Sequence, residues 1–548
     1  VPDETVPDAD KMELGKIYHM GREEKADLIL NRQAMASHTF VTGSTGTGKS
    51  NAVYHLLDEI TKDGRTSFLV VEPAKGEYKN VFGSRADVKV FGTNPRETPL
   101  LRINPFAFPQ NIHILEHIDR LVEIFNACWP MYAAMPAVLK DAIERSYQKV
   151  GWDLRNSESE KGVFPTFFDL LDILPGVIEE SHYSKDTQSD YVGALCTRVK
   201  SLTNGIYGSV FCAEDALSDA ELFDCNVVVD LRRVGSMETK SLLMGILVMK
   251  LQEYRMCGSE MNSRLRHVTV LEEAHNLLRK TSAEQPQEGA NLQGKSVEML
   301  ANAIAEMRTY GEGFIIADQA PGLLDMSVIR NTNTKIILRL PDEEDRKLVG
   351  KSAALKEAQI DELSKLPLGV AAVYQNEWPE AVLCKIEAYP MPENAVYHKP
   401  SKMPHEINAE FVFGQLAAGK ELEPLSISEM EQLKLWLKRH EMMLKPEDGR
   451  YLEQVFAGGE LDVAKTRKAV FDFFGGISTV VDYCAAAEKS FTPRKEFLEQ
   501  LQGQYGLKAA AADWVLNSVI SMGMSLNPDA KAVDNLRTNF EQQGGRVL

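Results

Sequence analysis

The sequence has 548 residues, enough at ~150 residues per domain for about three or four domains or for one large domain with insertions. Its 61 basic and 79 acidic side chains leave a net charge of −18, which excludes a surface that coats nucleic acid or anionic membrane as a whole, so any DNA contact has to be local. With 44% apolar and 26% charged residues, disorder across most of the chain is excluded as well.

At the amino end, Asp3, Glu4, Asp8 and Asp10 stand where a signal peptide needs basic and apolar regions. Nowhere do the ~20 uninterrupted apolar residues of a membrane span occur, so a cytoplasmic protein is expected. Cys128, Cys196, Cys212, Cys225, Cys257, Cys384 and Cys484 are scattered without a Cys-x-x-Cys pair. That fits structural thiols in a reducing compartment, and no zinc site is expected.

Short β-branched and apolar runs predict strands over 39–42, 66–71, 226–231, 268–271, 313–317, 335–340 and 370–375. Most lack in/out alternation, as in a sheet covered on both faces, and helical stretches over 49–61, 238–256 and 296–310 lie between them. The fold class expected is α/β, a doubly wound, mostly parallel sheet. Between the second and third of these strands, residues 100–222 read as a helical insertion, with Ile114, His117, Ile118, Leu121 and Phe125 at helical spacing. His117 and Asp119 in it are read as solvated helix surface. Pro390, Pro392, Pro400 and Pro404 mark 389–404 as a connector. The region 405–548 is expected to be helical, with segments at 427–443, 463–474, 478–488, 494–504 and 508–521 and breaks at Gly475-Gly476 and Asn527-Pro528.

Between the first strand and its helix lies Gly43-Ser44-Thr45-Gly46-Thr47-Gly48-Lys49-Ser50, the pattern of a phosphate-binding loop. Glycines let successive backbone N–H groups turn inward around phosphates, and the helix N-terminus adds its dipole. Lys49 supplies a mobile cation, Ser50 a ligand for Mg2+, and Asn51 on the first helical turn joins the residues expected to hold ATP. Further on, the apolar run His267–Leu271 ends in Glu272-Glu273, with His275 two residues later. Beside bound phosphates, Glu272 would hold the metal through water and Glu273 would orient or deprotonate the attacking water.

The phosphate loop, Val270-Leu271-Glu272-Glu273-Ala274-His275, the strand-end Glu72-Pro73-Ala74-Lys75-Gly76-Glu77-Tyr78 and Gly313–Gln319 occur in the order that resembles HerA-like ATPases of the HerA/FtsK superfamily. The resemblance covers about residues 30 to 387. It implies a RecA-like ATPase core in two parts, 1–99 and 223–388, interrupted by the insertion 100–222 and followed by the linker 389–404 and the tail 405–548. It further implies a homo-oligomer, a hexameric ring with ATP between subunits and double-stranded DNA through the centre. By the same resemblance Glu72 and Glu77 match acidic positions near the nucleotide, and Gln319 matches the polar sensor of the γ-phosphate; capping of the next turn is the other reading of Gln319. Arg308 and Arg339 are the candidates to reach a neighbouring subunit's ATP, against ordinary salt bridges. Arg279, Lys280, Lys295 and Arg330 are the candidates for DNA phosphates, against solvated surface charge.

Three departures accompany the resemblance. Glu272 stands where Asp is more usual, Ala320 follows the sensor where many members carry Arg, and fewer than forty residues precede the loop strand, too few for the family's amino-terminal β-barrel. The insertion resembles that of larger bacterial members, which implies a nuclease or other effector partner in anti-phage defence. The competing expectations are an ATPase of a secretion or conjugation apparatus and a nucleotide-gated scaffold for an effector enzyme.

Overall fold

The computed structural model describes residues 6–399 apart from 63, 133, 160–161, 214–215, 259–260, 282–288, 377 and 392–395, and residues 445–545 apart from 457–461, 488–491, 506–508 and 527–529. Its strands are β1 (Lys11–His19), β2 (Arg22–Asn31), β3 (Thr39–Thr42), β4 (Ser67–Glu72), β5 (Val88–Gly92), β6 (Trp152–Asp153), β7 (Glu158–Ser159), β8 (Asn226–Asp230), β9 (His267–Glu272), β10 (Glu312–Asp318), β11 (Thr334–Ile337), β12 (Val370–Gln375) and β13 (Val382–Ile386). All but the β6–β7 pair form one sheet in the order β2-β1-β13-β12-β11-β3-β10-β9-β4-β8-β5. Pairing is parallel from β11 across to β5 and antiparallel from β11 through β12, β13 and β1 to β2. The architecture is α/β, as the uninterrupted apolar runs implied.

Strands β3, β9, β10 and β11 are buried along their whole length, polar members such as Thr39, His267, Thr269 and Lys335 included, as in a sheet covered on both faces. Alternate residues of β4 sort between two apolar layers. Leu69 and Val71 join one that also holds Phe106, Phe125, Phe167 and Phe211, whereas Phe68 and Val70 join one with Val53, Leu57 and Ile60 of the helix Lys49–Thr61. The helices of 100–222, including Ile114–Cys128, Met135–Lys149 and Phe167–Glu180, thus cover one face of the sheet.

Four strands of the main sheet lay outside the sequence expectation: β1, β2, β5 and β13. β2 begins with five exposed residues, and β1 carries register shifts around Gly15, so neither offers a clean run. Gly15 has φ +149°, and a Cβ there would fall 2.2 Å from the Lys385 carbonyl oxygen. The helix expected over 296–310 is Gly289–Glu306, after which the chain tightens into a 3-10 turn at Met307–Tyr310. The strand expected over 335–340 ends at Ile337. His117 corrects the expectation of a solvated face: it is fully buried, and its Nδ1 lies 2.9 Å from Glu253, whereas Asp119 is exposed and pairs with Lys140.

The described residues fall into two compact units, one within 6–399 and one within 445–545. In the second, helices Pro446–Phe456, Val463–Phe473, Gly476–Ala487, Pro493–Tyr505, Ala509–Leu526 and Ala530–Gln542 enclose their own core around Phe473, Tyr483, Leu516 and Phe540. The break at Gly475-Gly476 is present, with both residues at positive φ. The segment 427–443 and the break at Asn527-Pro528 lie outside the described residues. Among the described residues no single helix is long and apolar enough to cross a membrane; one bent pair, Ala464–Phe473 and Gly476–Ala487, has the length and composition, but its Phe473 and Tyr483 are core residues.

At the amino-terminal end of β10, Glu312 is fully buried between the Arg255 Nε at 2.9 Å and the His267 Nδ1 at 2.7 Å, and it also accepts from the Thr269 hydroxyl. Removing the carboxylate takes from the buried Arg255 one of its two carboxylate partners, leaving Asp224, and leaves the buried His267 and Thr269 without their acceptor. Glu312→Ala is therefore expected to lower stability by about 3–5 kcal/mol in chemical denaturation.

Candidate active site

Parallel register brings the strand tips together. Thr42 of β3 pairs with Asp318 of β10, Ala317 pairs with Glu272 of β9, and Glu72 of β4 pairs with Asp230 of β8. Loops leave all of these at one edge of the sheet, where helix N-termini also point. The turn from β3 into the helix Lys49–Thr61 is closed by Thr47, whose hydroxyl donates to the Ser44 carbonyl at 2.7 Å. Gly48, at φ +105°, occupies backbone space that L side chains avoid, and a Cβ there would meet the Gly369 Cα at 3.4 Å. The loop also leans on β11: the Ser44 N–H and hydroxyl both donate to the Arg339 carbonyl.

Ser44, Thr45, Gly46, Gly48, Lys49, Ser50 and Asn51 line a cavity of about 280 Å3 together with Lys75, Gln319 and Leu368. Gly43 and Thr47 complete the turn behind it: a Cβ on Gly43 would fall 2.7 Å from the Thr47 hydroxyl oxygen. A cleft alongside is lined by Ser50, Glu72, Lys75, Glu77, Tyr78, Glu272 and Glu273. A larger cavity, about 780 Å3, lies elsewhere between the helices Ile114–Cys128 and Gly289–Glu306; its lining is mostly apolar, with Val122, Ile124, Met249 and Leu300, and contains none of the phosphate-loop residues.

Lys49 is almost fully buried, with Nζ 2.8 Å from Glu272 Oε2 and 3.6 Å from Glu273 Oε1. Burial opposes its charge, but Glu272, Glu273 and Asp318 together more than offset that and hold its pKa above the ordinary lysine value. The other Glu272 oxygen accepts from the Tyr78 hydroxyl at 2.5 Å. Glu273 sits in the left-handed region at φ 46°, unusual for a residue with a side chain, and its carbonyl is fixed by the backbone and side-chain amides of Asn276. The Gln319 amide links the two halves of the site: its Nε2 donates to Glu273 Oε1 at 2.6 Å, and its Oε1 accepts from the Thr45 hydroxyl at 2.6 Å.

Other expected positions have different surroundings. Both Glu72 oxygens accept backbone N–H groups, from Glu77 at 2.8 Å and Tyr78 at 3.1 Å, so Glu72 caps the turn beside the cleft. The Asn51 amide is spent on the chain 387–389, donating to the Glu387 carbonyl and accepting from the Tyr389 N–H, which leaves its backbone toward the loop. Arg339 is exposed beside the phosphate loop, just past its strand. Arg308 is exposed in the turn before β10, a full strand away, about 20 Å at ~3.3 Å per residue, from the edge that carries the loop. Arg279, Lys280, Lys295 and Arg330 are all exposed.

Two participants, Tyr78 and Asp318, had no role in the sequence reading, and a third, Thr45, was read only as part of the phosphate loop. Tyr78 reaches Glu272; Asp318 accepts from both the backbone N–H and Nδ1 of His275 at 2.9 Å; and Thr45 reaches Gln319. The hydrogen bond to Asp318 raises the His275 pKa, with burial opposing it and Glu273 adding to it. Tyr78 and Asp318 stood inside the strand-end motifs, but nothing in their spacing says which neighbouring strand their side chains meet. Beyond the tips, the two following loops are tied together: Lys280 N–H donates to the Leu323 carbonyl, and Asp325 N–H donates to that of Leu278.

The donors fit a divalent cation beside phosphates, since Ser50 and Glu272 line the same cleft and offer hard oxygens. Burial raises the Glu72 pKa to about 7 against the pull of its two backbone hydrogen bonds, with Glu272 and Asp230 adding to the rise. A raised carboxyl pKa gives stability that is complete below its ordinary value of 4.5 and disappears as pH climbs through about 7. In the nucleotide-free protein, stability should therefore fall across that window, and Glu72→Gln should flatten the decline in denaturation curves taken from pH 4.5 to 8.

The model for the helicase HerA central domain matches residues 12–207. The DNA double-strand break repair helicase HerA of Sulfolobus acidocaldarius is 25% identical over 397 residues, 70% of this chain and 71% of that protein. A probable helicase of Methanocaldococcus jannaschii is 23% identical over 390 residues, 66% of this chain and 68% of its own. Among solved structures, VirB4 of Thermoanaerobacter pseudethanolicus superposes with a TM-score of 0.53 at 18% identity, covering 70% of this chain and 98% of that one. The bacterial conjugative coupling protein TrwB gives 0.50 at 14% identity, covering 73% and 100%. These two likenesses are of fold; in sequence the chain is similar to the HerA central domain over residues 12–207, which hold the phosphate loop, and to the two helicases named above.

Proposed function

We propose that the protein is a HerA-type motor, a homohexameric ring in the cytoplasm that hydrolyses Mg·ATP to move double-stranded DNA, working with a nuclease or other effector in anti-phage defence or DNA processing. The observation that carries the motor reading is the run of hydrogen bonds and short stretches of chain that links the phosphate loop to the exposed loops. It runs Thr45 to Gln319 to Glu273, and then through the pinned segments Leu278–Lys280 and Leu323–Asp325. A change at the triphosphate therefore has a rigid route to the exposed Arg279 and Lys280.

ATP would lie in the cavity of the glycine-rich turn, its phosphates held by backbone N–H groups and by Lys49, which exchanges its carboxylate partners for phosphate oxygens. Ser50 and Glu272 would hold Mg2+, whose charge supports the phosphate oxygens. Glu273 would orient the attacking water and take its proton, with Gln319 keeping Oε1 aimed. Arg339, on the same edge as the loop, and Arg308, on the opposite one, would present their guanidiniums to neighbouring subunits; an arginine fixed across that boundary makes turnover depend on assembly. The acidic chain is compatible with a basic bore, because a few Lys or Arg per subunit are multiplied around a ring.

Lys49→Ala is expected to abolish nucleotide binding. Glu273→Gln should keep binding while turnover falls about 100- to 10,000-fold. Duplex DNA should stimulate the wild type, and native mass measurement should find a ring. The charge reversals Arg279→Glu and Lys280→Glu should weaken DNA binding alike across sequences and reduce its salt dependence. A monomer whose turnover ignores DNA would refute the reading.

A further inference from the structure

Glu272 has one more rotatable bond than an aspartate in its place, so its carboxylate has a wider choice of positions unless something holds it. The strand fixes only its backbone. In this chain the Tyr78 hydroxyl donates to Glu272 Oε1 at 2.5 Å, while Lys49 meets the other oxygen at 2.8 Å. Tyr78 is 1% exposed, and its ring is boxed edge-on by Tyr54 at 4.9 Å between centroids and stacked with Phe82 at 6.4 Å. Its backbone is held as well, because its N–H donates to Glu72. The phenol therefore has little freedom of its own, and burial raises its pKa well above the ordinary value, with Glu272 adding to the rise, so it remains a donor.

We infer that Tyr78 is a positioning residue for the metal-binding carboxylate, and that the sequence Glu72 to Tyr78 to Glu272 aims the longer arm at the cleft shared with Ser50. The phenol occupies one lone-pair direction of Oε1 and fixes the carboxylate plane. When Lys49 turns to the phosphates, Oε2 is released while the plane stays set. This role rests on the reading of Glu272 as a metal-holding group, and it gives Glu72 an indirect part in place of direct contact with nucleotide.

The test uses the full-length protein with a non-hydrolysable ATP analogue and Mn2+, whose binding is read by electron paramagnetic resonance, alongside the melting temperature and steady-state turnover. Tyr78→Phe keeps the ring and removes the donor. It should weaken Mn2+ binding about tenfold, the size expected for loss of a hydrogen bond to a charged group, and lower kcat at subsaturating Mg2+ with little change in KM for the nucleotide. Excess metal should restore turnover. Glu272→Asp shortens the arm out of the phenol's reach, so adding Tyr78→Phe to it should cost nothing further. A lower melting temperature with unchanged Mn2+ affinity in Tyr78→Phe, or full additivity in the double variant, would overturn the role of Tyr78. Unchanged Mn2+ affinity in Glu272→Ala would instead remove the metal reading of Glu272, and the proposal with it.

Discussion

The common register of β3, β10, β9 and β4 is the constraint on which the rest of the molecule depends. Because parallel strands advance together, Thr42, Asp318 and Glu272 finish nearly level with one another, and the glycine-rich turn, the Gln319 amide and the paired acids leave the sheet within side-chain reach. A slip of one residue in any of these pairings would turn the terminal side chains to the other face and separate Gln319 from Glu273. The apolar layers on both faces fix that register, so the helices of 100–222 support the site without touching it.

Electrostatics then set how the site is held. Lys49, Glu272, Glu273, Asp318 and His275 lie in one linked group, in which each charge is matched by a neighbour at hydrogen-bond or ion-pair distance. Buried ions of one sign would not survive there alone, and matching is what allows so many titratable groups at one edge. The same matching would make the group exchangeable: in the proposed reading, phosphates entering beside Lys49 would draw it from Glu272 and alter the balance felt by Glu273 and, through it, by Gln319. The left-handed backbone of Glu273 stores strain at the point where the chain turns from strand to loop.

That loop is not independent of the one following Gln319. Backbone hydrogen bonds between Leu278–Lys280 and Leu323–Asp325 join the two segments that leave Glu273 and Gln319, so the residues proposed to feel the phosphate and those proposed to meet DNA belong to one hydrogen-bonded piece. The second unit has a core of its own around Phe473 and Tyr483, which meets the criterion of a separate folding region.

Local chemistry made part of this legible in advance. A strand buried on both faces is mostly apolar, so the parallel strands β3, β4, β8, β9, β10 and β11 and the antiparallel β12 stood out, and a turn that wraps phosphate needs its glycines and Lys49 in a row, so that turn stood out too. β1, β2, β5 and β13 did not, because edge and antiparallel strands tolerate exposed residues and bulges, and their identity comes from the strand beside them. Likewise His117 looked like helix surface until Glu253, more than a hundred residues away, covered it. Spacing along the chain determined which residue types arrive at the sheet's edge. Only the tertiary structure decided that Tyr78 meets Glu272, that Thr45 meets Gln319 and that Glu72 serves a backbone turn, because a side chain's partner across strands is set by register and packing, which one-dimensional periodicity does not contain.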